Sequence, residues 1–505
     1  MRIALSLLAV AACACGPLGA TRAAPPAPSA PRGAVADAHP SESFRDHPPA
    51  AGPAHPFAPP AATRRTLASG VPVLLVRQPS PFVAIRVMAA GGVLDVAPDR
   101  VEVVAAMART MLAGTAAHSY AGLLERFAAL TMPEPEVAWY SDLVSISVVM
   151  PLAKLREGAS VLGEIALHPV FGQGDFERWR DTAAANAERL SDEAIAENVM
   201  RRVLYGSHAY GAGSLSPARL RAVTSADVRA LHARLFDASR LSIVVAGPAE
   251  DTEIMAALEE AFSSLPAHPT AGTPSLTPAA PPLPAGPRLV VVDRPGAPIA
   301  TIGMAAPGPT LGAPDFEPLM LALDVLADRQ FGRITTRLRD QLQYVPWVAT
   351  SGASLRTSGS FGWRMRAPMD RVAAAVLETD RIVRAFVASG PTEDELADVK
   401  ARGVLALASW FETSADTARA FSWPLVYQQP DETIAGRPAR FAAVSTSAVR
   451  AAVVRHLDAG RMCVVIVGDW ATLQRPLSAL GWGPVELRTL EGVVVPASPA
   501  TPGAP

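Results

Sequence analysis

The stretch Val223 to Gly247, VTSADVRALHARLFDASRLSIVVAG, recurs 221 residues later as Val444 to Gly468, VSTSAVRAAVVRHLDAGRMCVVIVG, without a gap and with ten of 25 positions identical. Arg229, Asp237, Arg240 and Gly247 find counterparts in Arg450, Asp458, Arg461 and Gly468. Upstream, a second anchor repeats at a shift of 216: Met88-Ala89-Ala90 returns as Met304-Ala305-Ala306, and Ala97-Pro98-Asp99 as Ala313-Pro314-Asp315. Two anchors about 140 residues apart at nearly the same shift are not chance in an alanine-rich chain. They mark a tandem duplication. The chain has to fold as two copies of one unit of roughly 200 residues, within the usual size of a domain.

Proline-rich stretches separate the copies. Eleven prolines fall between Ala24 and Ala62, a composition that buries too little apolar surface to fold. The expected layout is a disordered tether at 16–65, a first folded block at 66–265, a linker at 266–287, a second block at 288–490 and a disordered tail at 491–505. Ahead of the tether, Met1-Arg2 and the apolar run Ile3 to Ala12 read as a secretory signal over 1–15, too short for a permanent membrane span. Val10-Ala11-Ala12-Cys13 resembles a bacterial lipobox with Cys13 lipidated, whereas Ala12-Cys13-Ala14 equally suits ordinary cleavage. Both readings stand open. The expected location is the periplasm, free or anchored to the outer membrane as a lipoprotein.

Composition narrows the classes further. Hydrophobic residues make up 50% of the 505 and charged residues 18%, which excludes a disordered chain. The net charge of −2 leaves no strong field to attract nucleic acid or anionic lipid, so membrane contact is expected only through a lipid on Cys13. Cys13 and Cys15 lie in the leader, leaving Cys463 alone. A cleaved chain therefore has no internal disulfide and no cysteine-built zinc site.

Within each block the pattern predicts an α+β unit, one mainly antiparallel sheet covered by helices. Val71 to Arg77, Val83 to Ala89, Leu289 to Asp293 and Ile299 to Met304 read as strands, and Glu136 to Met150 as a hairpin turning at Ser141-Asp142. Helical spacing marks Glu102 to Leu112, Ala153 to Leu167, Phe176 to Leu190 and Glu193 to Leu204. Ser216-Pro217 is a helix start, and Thr224-x-x-Asp227 and Thr392-x-x-Glu395 are capping boxes. Leu241 to Ala246 is continuously apolar and reads as a buried strand, followed by a helix through Glu253 to Phe262.

The plan, the duplication and the string GSHAYGAGSLSPARLRAVTSADVRALHARLFDASRLSIVVAG (Gly206 to Gly247) resemble the pitrilysin/insulinase family of zinc peptidases, which includes the mitochondrial processing peptidase subunits and the bc1 core proteins. The resemblance covers about 66–480 and rests on many weak positions. It implies a metal site on the first helix of the first block, where peptide-cutting members carry H-x-x-E-H: two histidines one helical turn apart bind Zn²⁺ and the glutamate is the base. The matching window is EVVAAMARTMLAGT, Glu102 to Thr115, which puts Ala105 and Arg109 at the histidine positions and Ala108 at the glutamate. Ala185 and Asn186 stand where a further glutamate ligand belongs. No two of the nine histidines lie three or four residues apart, so no helix-borne pair exists elsewhere. Arg109 also opposes a cation: two unit charges at about 4 Å repel by about 4 kcal/mol at an effective dielectric of 20, doubled for a divalent ion.

His118 reads as a cap or surface residue, and His208, in a string resembling the family's H-P-Y-G, as a loop histidine satisfied by backbone groups. Active members also carry an arginine and a tyrosine, seven residues apart, that hold the substrate backbone. In FGRITTRLRDQLQYVPW, Phe331 to Trp347, Arg339 takes the arginine position, but Pro346 takes the tyrosine position, with Tyr344 two residues earlier. Arg339 and Tyr344 are thus the candidate substrate contacts.

The resemblance implies a non-catalytic member that forms one side of a peptide-enclosing shell and holds unstructured peptide as a strand added to a sheet edge. Zinc is expected only in an active homologous partner subunit, the two forming a heterodimer. The alternative is a structural or assembly protein of an envelope complex, like the bc1 core subunits. A third reading is a zinc metalloendopeptidase using unusual ligands.

Overall fold

The computed structural model describes residues 57–212, 215–266, 289–458 and 462–496. The expected leader with Cys13 lies outside these residues, as do most of the expected tether, all of the expected linker but Pro266, and the end of the tail. The last residues of the stretch read as a disordered tether, from Ala62, instead belong to a strand that pairs with the first sheet.

Twelve strands build two six-stranded sheets. The first half supplies β1 (Ala62–Thr66), β2 (Pro72–Arg77), β3 (Phe82–Ala90), β4 (Glu136–Trp139), β5 (Leu143–Pro151) and β6 (Leu241–Gly247). The second supplies β7 (Leu289–Asp293), β8 (Ile299–Gly308), β9 (Val348–Ser354), β10 (Gly359–Pro368), β11 (Cys463–Gly468) and β12 (Val485–Arg488). Their orders are β1-β2-β6-β3-β5-β4 and β12-β7-β11-β8-β10-β9. Both sheets are mixed: β2 runs parallel to β6, and β7 parallel to β11 and β12, while the remaining pairings are antiparallel. Five positions of each sheet match across the duplication, Met88 on β3 corresponding to Met304 on β8. The sixth differs. In the first sheet it is filled by β1, which precedes the repeat, and in the second by β12, which follows it.

The two halves are not independent cores. One face of the first sheet, with Val73, Ile85, Val87, Ile243 and Val245, packs under helices of its own half. Its opposite face, with Leu74, Val76, Ala84, Met88, Val244 and Ala246, is covered by Ala418, Phe421 and Leu425 from the helix Ser414–Val426 of the second half. The exchange is reciprocal. Helix Asp192–Tyr205 of the first half lies across β8 and β11. Its Val199, Met200 and Val203 join the same core as Val290, Val292, Ala305, Val465 and Val467. The exchanged helices are equivalents in the duplication, each opened by a side-chain cap: Ser191 accepts from the Ala194 amide and Thr413 from the Asp416 amide. Burial on both faces explains why β6 and β11 are apolar without alternation. Each large side chain so buried contributes about 1.5–3 kcal/mol.

A buried polar knot joins the halves at the β4–β5 turn. The Asp142 carboxylate, fully buried, accepts from the Tyr210 hydroxyl at 2.7 Å, the Tyr427 hydroxyl at 2.6 Å and the Arg356 amide at 2.9 Å. Two of those donors come from the other half. Burial, and then the neighbouring carboxylate, pushes both phenols well above the usual tyrosine value. Among the described residues, no helix is long and apolar enough to cross a membrane.

Candidate functional site

A cavity of about 1730 Å³ opens between the halves. Small-molecule sites occupy about 300–1,000 Å³, so the space suits a polymer segment better than a cofactor. Its wall includes Thr350 to Ser354 of β9 and Trp139 of β4, the strands at the outer edge of each sheet. Four tryptophans face it, Trp139, Trp179, Trp410 and Trp423.

Helix Glu102–Thr110, bearing the motif window, forms part of this wall. Its first turn is fixed by Glu102, fully buried, whose Oε1 accepts from the Ser216 amide at 2.9 Å and from Arg219 Nε at 2.8 Å. Val104, Met107 and Ala108 are buried in the core, while Arg109 is exposed. Of the motif positions, Ala105 and Arg109 line the cavity and Ala108 sits beneath it. Packed beside it, helix Gln173–Ala187 contributes Trp179, Ala183 and Asn186. The structure thus brings the motif positions and the expected distal-ligand position to one wall, with methyl groups, an amide and a guanidinium where donors belong. Among the described residues, no group of three or more His, Cys, Asp or Glu side chains is placed to hold a metal ion. The zinc ion used by active relatives of this fold does not fit this donor set.

The other expected residues lie elsewhere. Arg339 is in a short π-helix, Thr336–Gln341, where its guanidinium donates to the carbonyls of Arg329 at 2.6 Å and Gln330 at 3.1 Å and pairs with Asp340. Tyr344 packs against the second-half core under the Arg371 guanidinium. Neither lines the cavity. His118 pairs its Nδ1 with Glu164 at 2.8 Å, and the next helix is capped by Ser119 instead. His208 Nδ1 accepts from the Tyr210 amide at 3.1 Å, opening a single 3₁₀ turn.

Residues 222–402 match the family described as the peptidase M16 inactive domain. That segment belongs to the M16 (pitrilysin) peptidase family, inactive-domain type. Solved structures share the fold of this chain. The peptidase M16 inactive domain from Pseudomonas fluorescens is 19% identical, with a TM-score of 0.71 over 81% of this chain and 98% of its own. A protease from Helicobacter pylori is 16% identical, with a TM-score of 0.73 over 81% and 99%. The periplasmic protease PqqL from Escherichia coli is 13% identical, with a TM-score of 0.69 over 84% of this chain but only 47% of its own length. No curated protein matches the chain in sequence.

Charge in the cavity is uneven. Five arginines face it against three carboxylates, Glu197, Glu317 and Asp416. Arg440 pairs with Glu317 at 2.9 Å, and Arg419 contacts Asp416 at 3.8 Å. Arg201 donates only to neutral oxygens, Ser141 Oγ at 2.9 Å and the Tyr210 carbonyl at 3.2 Å. The Arg437 guanidinium lies over the rings of Trp410 and Phe441, and burial lowers its pKa. Arg109 has no hydrogen bond or ion pair among the described residues. Apart from Arg109, which the motif window marked, these arginines and the tryptophans were not singled out in the sequence, because they come from elements far apart in the chain with no spacing to mark them.

Proposed function

We propose that this M16 chain is a non-catalytic homologue that holds unstructured polypeptide in the cavity between its halves and serves a zinc-bearing subunit of the same family. The observation that carries this reading is the motif wall: Ala105 and Arg109 face the cavity with no ligand or base between them. Alanine methyl groups and a guanidinium at the motif positions supply neither a metal ligand nor a general base there. What remains suits binding. β9 is rich in small residues, VATSGAS, and has no strand beyond it among the described residues, so an extended peptide can add to its edge through backbone hydrogen bonds that tolerate many sequences.

Location in the cell envelope is part of the proposal. It rests on the apolar leader run Ile3 to Ala12, with Cys13 as a lipid attachment site, and on the fold shared with a periplasmic protease.

The test is a pull-down from envelope extracts, paired with a hydrolysis assay on unstructured peptides. Recovery of a zinc-bearing M16 subunit, with cleavage only in the mixed sample, is the expected result. An unrelated envelope complex on the beads would favour a structural role like that of the bc1 core subunits. Chelator-sensitive cleavage by the isolated chain would refute the proposal.

A further inference from the structure

Three of the five arginines facing the cavity, Arg109, Arg201 and Arg437, make no ion pair among the described residues, although Arg437 feels the charges of Glu317 and Asp324; of the three carboxylates only Glu197 makes none. The wall therefore carries an excess of positive charge. Arg201 and Arg437 are spoken for by neutral oxygens and by aromatic rings. Arg109 is not. It is the exposed residue of an otherwise buried helix, and its five N–H donors are left to solvent or to a ligand. The helix that carries it packs against both β4 and helix Gln173–Ala187, which bring Trp139 and Trp179 to the same wall. A planar fork on a cavity wall that also carries tryptophans is suited to receive a carboxylate.

We infer that Arg109, standing at a motif position, anchors a carboxylate of the polypeptide held in the cavity, so that the chain selects acidic segments or free C-termini. This rests on the peptide-holding reading and names the chemistry that reading leaves open. Paired charges at such a site add specificity as well as affinity, and the effect shrinks as salt rises. The two sources of a carboxylate, an Asp or Glu side chain and a chain terminus, share this recognition chemistry.

The experiment measures fluorescence anisotropy of labelled, unstructured peptides of one length with the full chain at low and moderate salt. The set is a neutral peptide with an amidated C-terminus, the same peptide with internal Gln changed to Glu, the neutral peptide with a free C-terminus, and a version with Lys. One of the two carboxylate peptides is expected to bind about tenfold more tightly than the neutral amide, and which one identifies the source. Arg109→Ala and Arg109→Gln should abolish that preference, and Arg109→Lys should restore part of it. Arg109 is exposed and makes no hydrogen bond or ion pair among the described residues, so thermal melts of the variants should match the native chain. Equal binding of acidic and neutral peptides, or a preference that survives Arg109→Ala, overturns the inference alone. Failure of every peptide to bind overturns the peptide-holding reading with it.

Discussion

Asp324 is held in helix Phe316–Ala327, where burial and then the charge of Asp328 push its carboxyl from 3.8 up to about 6. In the unfolded chain it titrates near ~3.9. Between those values the unfolded state gives up the proton first, so this group's contribution to stability falls as pH rises from 4 to 6. Asp324→Asn should therefore stabilise the protein at pH 7 by roughly 2 kcal/mol, with the gain vanishing near pH 4. Urea unfolding at both pH values checks this, and a pH-independent difference would contradict it. His232 pulls the other way: burial lowers its pKa to about 4, and its Nε2 meets the Ala166 carbonyl at 2.9 Å. Its second-half counterpart is Val453, so it reads as a core residue of the repeat. Gln343 follows the π-helix with φ 54, a left-handed conformation that places the Tyr344 amide 2.8 Å from the Leu338 carbonyl. Gln343→Gly should raise stability by up to about 1 kcal/mol, read as a higher midpoint in thermal melts.

At the scale of elements, the exchanged helices decide how the protein unfolds. Phe421 is buried against the sheet of the other half, and Phe421→Ala should cost about 3–5 kcal/mol. Because its contacts cross between halves, the loss should appear in one cooperative transition, not in a separate melting of the second half. Tyr427→Phe removes one of the three hydrogen bonds to Asp142 and should cost about 1–3 kcal/mol, with the same single transition in calorimetry. The repeated strands and the capping boxes at Thr224 and Thr392 were legible in the sequence, since period, caps and turns are local signals, whereas the outer strands β1 and β12 were not. Helix exchange was not. Glu193 to Leu204 showed helical spacing, but spacing cannot say which sheet the apolar face meets. The clue was the unbroken apolar run of β6 and β11, which needs cover on both faces. The motif positions were legible because a helix window is local. The cavity's aromatic and cationic lining depends on how the halves meet, and the sequence carries no direct signal for that.

At the largest scale, the exchange makes the described residues from Phe57 onward one body with its cavity between the halves. Cutting the chain by protease within 267–288 should leave both halves co-eluting in gel filtration. Separation of the fragments in the absence of denaturant would contradict the mutual covering of the two sheets. A body of this kind can present a bound segment to a second subunit without opening, which is the role proposed here. The most direct test of that role is native mass spectrometry of the full chain after incubation with an unstructured acidic peptide and a zinc salt. The expected spectrum contains the chain bound to the intact peptide, with no retained zinc. A chain retaining one zinc ion, together with peptide fragments that disappear when a chelator is added, would contradict the account.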